Sequence, residues 1–181
     1  MQLFYNPDID ETTESFSFDK EESKHIIKVL RKKDTDILFV TNGLGFLFKT
    51  EITLASDSKC MVQIISFEKK EESKFKLHLA VAPTKMNDRF EWFLEKATET
   101  GVANIYPIIC QRTEKQNFRY DRMHQILVSA MLQSQQVWLP ELSEPVPFNT
   151  IVKGIDHNKK WIAHCIETNK ESLRKQGPAK E

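Results

Sequence analysis

Residues 75–109 switch from a strand-like pattern to a helix-like pattern and back, and this alternation restricts the fold more than any other feature. "FKLHLAVAP" at 75–83 is an apolar run that ends at a proline, and "ANIYPIIC" at 103–110 is a second apolar run, as expected for buried strands. Between them, apolar residues recur at i, i+3, i+4 and i+7, which predicts one buried face of a helix. These residues are Phe90, Phe93, Leu94 and Ala97. Strand, helix and strand of these lengths predict a parallel pair with a right-handed crossover.

The predicted helix between these strands has recognisable ends. Asn87 is the predicted N-cap, since an asparagine side chain accepts a hydrogen bond from the first turn, and Gly101 is predicted to follow the last residue. A second amphipathic helix is predicted from about Asp121 to Gln135, followed by a proline-rich loop and a third buried strand, "KKWIAHCIE", at 159–167. Residues 75–181 are therefore predicted to form an α/β domain.

Residues 1–70 follow a different pattern, in which short strands dominate. Asn42-Gly43 lies between two apolar stretches, which is a hairpin signal. Residues 46–54 alternate with period two, as in a strand with one buried face, and "CMVQIISF" is the next predicted strand. Several short strands with one helix predict a small β-barrel. The charged stretch at 68–74 is the predicted boundary between the two domains.

The single helix of the first domain is predicted to begin after Asp19. Asp19 is the predicted N-cap, and Glu22 stands three residues later, as in a capping box. The predicted apolar stripe of this helix consists of Ile26, Val29 and Leu30.

The composition argues against several classes of protein. Lysine and arginine number 26, as do aspartate and glutamate, so a nucleic-acid site has to be a local basic patch. Five glycines, none in a G-x-G-x-x-G or Walker pattern, disfavour a Rossmann or P-loop fold. Three widely spaced cysteines suggest neither a disulfide framework nor a zinc site. Without a signal-peptide pattern or an apolar run of membrane-spanning length, the chain is predicted to be cytoplasmic.

Lys85 and Arg89 are the first candidate functional residues, because they follow the predicted strand at 75–83. Parallel α/β sheets bind their ligands beyond the carboxyl ends of their strands, where these cations and helix N–H groups can meet phosphates. Alternatively, the two charges only solvate a helix end. A cation at a helix N-terminus is unfavourable by up to ~1 kcal/mol, which slightly favours the functional interpretation.

Other charged residues leave two interpretations open. Arg31 and Lys32 end the first predicted helix, where cations also suit the helix dipole. Arg112 lies in "ICQRTEKQNFRY", where basic and aromatic residues alternate as in segments that bind single-stranded nucleic acid. His25 beside an apolar stripe is more typical of a structural histidine. His164 and Cys165 are adjacent in a predicted strand and point to opposite faces, which disfavours a nucleophile pair.

Four stretches, in this order, resemble one known family. "HIIKVLR" is followed by "NGLG", then by "KMNDRFEWFLEKATETGVANIYPIICQRTE", and then by "AMLQSQQVWLPEL". Together they resemble the bacterial ribosomal RNA small subunit methyltransferase E family over nearly the whole chain. The third stretch is the most specific, and Gln133-Ser134 with Pro140 downstream is a second marker.

This resemblance implies a fold and a function. It implies a PUA-like β-barrel at 1–70 that helps to hold RNA, and a knotted SPOUT-type α/β domain at 75–181 that dimerises. The family transfers a methyl group from S-adenosylmethionine to N3 of a uridine in 16S rRNA of the assembled small ribosomal subunit. The expected RNA contacts are Arg31, Lys32, Lys85, Arg89 and Arg112. His164, Cys165 and Ile166 are expected to border the methyl-donor pocket.

Two departures from the family pattern bear on this expectation. Family members continue with a glycine-rich loop that helps to bind the donor, and "KQGPAKE" does not match it, so a chain incomplete at its C-terminus is expected. Gln136 stands where an arginine is usual. An RNA-binding module without catalysis, a small-molecule α/β enzyme and an interaction protein without RNA affinity therefore remain as alternatives.

Overall fold

The computed structural model describes residues 2–113, 118–154, 159–163 and 172, which form two separate sheets. The first sheet has five strands in the order β1-β3-β4-β5-β2. Its strands are β1 (Leu3–Tyr5), β2 (Ser15–Ser17), β3 (Ile37–Thr41), β4 (Phe46–Leu54) and β5 (Met61–Lys69). β1 pairs with β3 in parallel, and the other pairs are antiparallel.

The predicted hairpin joins β3 and β4, and its turn spans residues 42–45. Gly43 and Gly45 have φ angles of +76° and +90°, which glycine adopts without steric cost. The Asn42 side chain accepts a hydrogen bond from the Leu44 N–H at 2.9 Å. In β4, the alternate residues Phe46, Phe48, Thr50 and Ile52 are buried, which confirms the period-two prediction up to Ile52, whereas Leu54 at the end of the strand is exposed.

The helix of the first domain begins as predicted and then widens. Asp19 caps α1 (Lys20–Lys24) by accepting from the Glu22 N–H at 2.8 Å. Residues His25–Val29 continue as a π-turn, with the Leu30 N–H donating to the His25 carbonyl. Because a π-turn holds more residues than an α-turn, Val29 rotates out of the predicted stripe and is 65% exposed. Ile27 takes its place beside the core.

The second sheet is parallel, and β7 lies at its centre. Its strands are β6 (His78–Val81), β7 (Asn104–Ile109), β8 (Glu141–Leu142) and β9 (Val146–Pro147). β6 pairs with one side of β7, while β8 and β9 pair in succession with other parts of it. Its helices are α2 (Asn87–Glu99), α3 (Tyr120–Gln133) and α4 (Phe148–Gly154). α2 and α3 share a buried core with Ile105 and Leu142.

The two ends of α2 differ in how well the sequence predicted them. Met86, not Asn87, is the N-cap residue, and Asn87 is the first helical residue. At the other end, Gly101 has φ +77° and donates to the Thr98 carbonyl, while the Val102 N–H donates to the Ala97 carbonyl. This pair of bonds is the Schellman motif, so the prediction for Gly101 is confirmed.

The region after α3 corrects two predictions. The proline-rich loop contains β8 and β9, because backbone groups there find partners along β7. The buried strand predicted at 159–167 is wrong for 159–163, which are exposed and carry no strand. Trp161 and Ile162 there are 48% and 72% exposed, since an apolar run forms a buried strand only beside a partner. No helix in the described ranges is both long and apolar enough to span a membrane.

Candidate nucleic-acid interface

The strands of the second sheet bring three loops to one edge, here called the carboxyl edge. Val81 at the end of β6 pairs with Pro107, and Pro147 at the end of β9 pairs with Ile109. The segments that follow β6, β7 and β9 therefore leave the sheet at the same edge. Ligands of parallel α/β sheets bind at this edge.

Three of the predicted RNA contacts follow strands that end at the carboxyl edge. Lys85 precedes α2, Arg89 lies in its first turn, and Arg112 follows β7, and all three are exposed. The parallel topology therefore groups residues that are up to 27 positions apart in sequence (85 to 112). This grouping places three cations and one anion, Asp88 in the first turn of α2, at the carboxyl edge of a chain of zero net charge.

Local hydrogen bonds shape the two loops that carry these cations. The Thr84 hydroxyl donates to the Met86 carbonyl at 2.7 Å, just before α2 begins. After β7, the Cys110 N–H donates to the Thr113 hydroxyl at 2.8 Å, and the Thr113 N–H donates to the Cys110 carbonyl at 3.0 Å. Arg112 therefore lies in a closed turn rather than in an extended loop.

A charged pair fixes α2 against α3 behind this edge. Arg122 on α3 donates from Nε and Nη2 to the two carboxylate oxygens of Glu91 on α2, at 2.7 Å and 3.0 Å. The hydrogen bonds to Glu91, followed by its charge, raise the pKa of Arg122. Glu91 is two residues from Arg89, so the pair helps to hold the turn that presents Arg89. This pair is not predictable from the sequence, because nothing in the spacing of residues 91 and 122 shows that they meet.

Arg31 and Lys32 lie in the first domain, at the end of the π-turn. Arg31 is exposed and has φ +57°, a backbone conformation that costs a residue other than glycine about 1 kcal/mol. The Lys32 N–H donates to the Ile26 carbonyl at 3.1 Å and so ends the π-turn. A π-turn and a left-handed arginine at the same place are both uncommon features that concentrate at functional sites.

The structure does not bring the two groups of cations together. The first domain contacts the second through residues 137–139, which precede β8 at the amino end of β7, and through β1, which packs against α3. β7 has six residues and therefore spans roughly 20 Å. Arg31 and Lys32 belong to a domain attached at the amino edge, and Lys85, Arg89 and Arg112 lie beyond the carboxyl edge. The predicted donor-site residues His164, Cys165 and Ile166 lie outside the described residues.

Three clefts among the described residues are lined by residues other than these cations, and the widest of the three, of about 720 Å³, lies on the first sheet beside Glu14 and Phe67. One cleft of about 590 Å³ lies between α2 and α3 and includes Glu91 and Arg122. A second, of about 380 Å³, lies between β1 and the end of α3 and includes His25. Lys85, Arg89 and Arg112 are instead exposed, as suits contact with a macromolecule better than the binding of a small molecule in a pocket.

Comparison with known proteins gives matches along both domains. A model described as an RNA methyltransferase domain matches residues 71–180, and one described as an RNA methyltransferase PUA domain matches residues 18–65. A ribosomal RNA small subunit methyltransferase E from Buchnera aphidicola is 28% identical over 178 residues, covering 92% of this chain and 68% of the relative.

Two solved structures share the fold of this chain, with sequence identities close to that of the Buchnera relative. A probable rRNA methyltransferase from Porphyromonas gingivalis is 32% identical, with a TM-score of 0.80, covering 86% of this chain and 65% of that one. A Legionella pneumophila methyltransferase, solved with bound S-adenosylmethionine, is 26% identical, with a TM-score of 0.82, covering 96% of this chain and 73% of that one. The chain thus spans about two thirds of these relatives, and the predicted fold class, a PUA-like domain followed by a SPOUT-type α/β domain, is confirmed.

Proposed function

Because the chain belongs to the RNA methyltransferase family, whose domain model matches residues 71–180, we propose that it methylates N3 of a uridine in 16S rRNA with S-adenosylmethionine. The observation that carries this proposal is that domain match, directly after a matched PUA domain. The name of the Buchnera relative supports a substrate in the small ribosomal subunit. The S-adenosylmethionine bound to the Legionella protein supports the methyl donor.

The proposed reaction sets clear demands on the protein. Uridine N3 is a poor nucleophile while it carries its proton, so the site has to favour proton loss. The negative charge then spreads onto the two flanking carbonyl oxygens, which hydrogen-bond donors or cations stabilise. S-adenosylmethionine supplies a methyl group bound to a positively charged sulfur. A carboxyl edge with cations and the N-terminus of α2 has the sign of charge that the uridine anion requires.

In this proposal, Lys85, Arg89 and Arg112 bind the RNA backbone at the carboxyl edge. Their exposure and shared edge support this role, because phosphate contacts from a positive surface provide most of the sequence-independent affinity for RNA. Arg31 and Lys32 are proposed to hold a second part of the RNA on the PUA-like domain. The family resemblance implies that His164, Cys165 and Ile166 border the pocket for the methyl donor, and this stays a prediction.

Three further expectations belong to the same proposal. The domain boundaries are placed at 1–70 and 75–181, supported by the end of β5 at Lys69 and the start of β6 at His78. The protein is proposed to form a homodimer, which sedimentation equilibrium would measure. It is proposed to act in the cytoplasm, where small ribosomal subunits are found.

The test compares RNA binding and methyl transfer in matched charge-reversal variants. The Lys85→Glu/Arg89→Glu variant removes two cations from the carboxyl edge and adds two anions. We expect its Kd for small ribosomal subunits to rise about tenfold or more, because each lost phosphate contact weakens binding. Lys59→Glu/Lys74→Glu makes the same change in net charge at exposed positions elsewhere and should change binding much less.

Two results would contradict the proposal. If both double variants weakened binding equally, general charge rather than the carboxyl edge would explain RNA binding. If the wild-type chain bound small ribosomal subunits and S-adenosylmethionine but transferred no methyl group to 16S rRNA, the proposed activity of this chain would be wrong. Mass spectrometry of the nucleosides released from the rRNA would detect methylation at uridine N3.

RNA binding without methyl transfer is the second candidate function. The observation that favours it is the PUA-domain match at residues 18–65, because the family resemblance assigns this domain to holding RNA and not to methyl transfer. Calorimetric titration with S-adenosylmethionine separates the two candidates. Affinity for small ribosomal subunits with no heat of donor binding would favour an RNA-binding module.

A further inference from the structure

The segment 134–140, here called the junction segment, pairs with the hairpin of the first domain. The Leu139 N–H donates to the Gly43 carbonyl at 2.8 Å, and the Gly45 N–H donates to the Val137 carbonyl at 2.8 Å. Leu44 and Trp138 form an antiparallel bridge between these two bonds. The contact between the domains therefore includes directed backbone hydrogen bonds, which fix orientation more closely than apolar packing does.

Gly45 and Trp138 fit together in a way that no other residue at position 45 allows. Gly45 has φ +90°, and a Cβ built on it would lie 2.2 Å from Cζ2 of the Trp138 ring, far inside van der Waals contact. The indole Nε1 is buried and makes no hydrogen bond within the part of the chain described. Packing against the glycine backbone, and not a hydrogen bond of the indole, therefore determines where the ring lies.

The junction segment is also fastened to both helices of the α/β domain. The Gln136 N–H donates to the Met131 carbonyl at 3.0 Å and so closes the end of α3. The Gln136 side-chain amide donates to the Glu99 carbonyl at 2.8 Å and so caps the last turn of α2. The residue that departs from the usual arginine thus has a structural role here.

The hairpin is equally fixed within the PUA-like domain. The Asn42 side chain donates to the Ile9 carbonyl at 3.1 Å, and the Lys70 N–H donates to the Gly45 carbonyl at 2.8 Å. Both partners of the contact are therefore held by their own domains. A rigid connection of this kind transmits the orientation of one domain to the other.

We propose that the junction segment holds the two domains in one orientation, with Gly45 and Trp138 as the positioning residues. The proposal rests on the proposed function, because a fixed orientation matters only if both domains hold the same RNA. Arg31 and Lys32 lie on one domain and the carboxyl-edge cations on the other. A rigid spacing raises the effective concentration of the second site once the first has bound.

The first test measures domain orientation directly in the whole chain, from residual dipolar couplings of backbone amides. In the wild type, both domains should fit one alignment tensor, whereas Gly45→Ala should give two separate tensors. Gly101→Ala is the matched control, since Gly101 also has a positive φ, +77°, but no described atom lies within 4 Å of a Cβ there. A single tensor for Gly45→Ala, or two for Gly101→Ala, would overturn the proposal.

A second variant protects this test from a failure of Gly45→Ala to fold. Trp138→Ala removes the ring on which the hairpin rests, and it should also separate the two tensors. In the Trp138→Ala background, adding Gly45→Ala should change the domain orientation little further, because the clash with the ring no longer exists and only the local strain of the φ of +90° remains. Equal and additive effects of the two substitutions would show that they do not act through one contact.

The third measurement links orientation to RNA. Trp138→Ala should raise the Kd for small ribosomal subunits about tenfold, and the additional loss from Arg31→Ala should be smaller than in the wild type. Unchanged affinity with separated tensors would overturn the positioning role. A wild type that shows one tensor but binds no small subunits would contradict the proposed function and leave the orientation result intact, so the two failures are distinguishable.

Discussion

Arg122 on α3 and Glu91 on α2 form a two-pronged ion pair, with N–O distances of 2.7 Å and 3.0 Å. The Glu91 side chain is 16% exposed and that of Arg122 is 51% exposed. The carboxylate is therefore the more buried partner, and it depends more on the ion pair to compensate for its lost hydration. Planar arginine makes both bonds at once, which lysine cannot do. The pair therefore fixes how α2 lies against α3, and with it the turn that presents Arg89.

Substitution of this pair is expected to lower the Tm in a graded way. Arg122→Lys keeps the charge but loses one of the two bonds, while Arg122→Ala leaves Glu91 without its partner, so the alanine variant should be the less stable one. Thermal unfolding followed by circular dichroism measures both. Exposed pairs are screened by salt, so the difference between the variants should shrink at high ionic strength. Equal Tm values for wild type and Arg122→Ala at low salt would contradict this account.

Arg31→Gly is expected to stabilise the protein and weaken RNA binding. Arg31 has φ +57°, and glycine removes the strain of that conformation, for a gain of about 1 kcal/mol. The same substitution removes a proposed phosphate contact. Urea unfolding measures the stability, and filter binding to small ribosomal subunits measures the affinity.

The Arg31→Gly result separates two roles of this position. A stabilised variant with unchanged RNA affinity would mean that Arg31 only ends the helix. Thr35 has φ +70°, so Thr35→Gly relieves a comparable strain without removing a charge and serves as the control. Its RNA affinity should equal that of the wild type.

Glu22→Gln is expected to change how stability depends on pH. Burial raises the pKa of Glu22 above its ordinary value of 4.5, while the nearby charge of His25 partly opposes this shift and that of Asp19 adds to it. The folded state therefore binds this proton more tightly than the unfolded state, and the resulting destabilisation develops as pH rises from about 4.5 through the raised pKa. The glutamine variant lacks this dependence.

The measurement is urea unfolding of both proteins between pH 4 and pH 7. The stability of Glu22→Gln relative to the wild type should increase across the window just above the ordinary glutamate pKa, and then level off. A difference that stayed constant with pH would show that Glu22 ionises alike in the folded and unfolded states.

Arg112→Ala is expected to weaken RNA binding without changing its sequence preference. A residue that contacts phosphate lowers affinity uniformly across sequences when it is removed, and the salt dependence of binding falls by about one counterion. Lys74→Ala removes an exposed cation from the stretch between the sheets and is the control. A change of preference between unrelated RNA sequences would indicate that Arg112 contacts a base.

The sequence determined the elements whose patterns are local. The family resemblance is confirmed, and so are the β3–β4 hairpin and the Schellman end of α2 at Gly101. The hairpin and the helix end each depend on residues a few positions apart, because turn conformations are set by near neighbours. The RNA-contact predictions for Lys85, Arg89 and Arg112 stay predictions, although the parallel sheet places all three at one edge.

Where the local pattern and the distant contacts favour different arrangements, the tertiary structure determined which residues are buried. A π-turn moved Val29 out of the core, and residues 159–163 remained exposed although their composition suits a strand. Neither outcome can be predicted from the spacing of the apolar residues in these segments.

The joining of the two domains was decided wholly by the tertiary structure. In the sequence, Gly45 is one of several glycines in turns. Only the Trp138 ring, 93 positions later, explains why position 45 has no room for a side chain. Sequence patterns encode which face of an element is apolar, since that depends on local periodicity. Which elements meet depends on shape and hydrogen bonding between surfaces that exist only after folding.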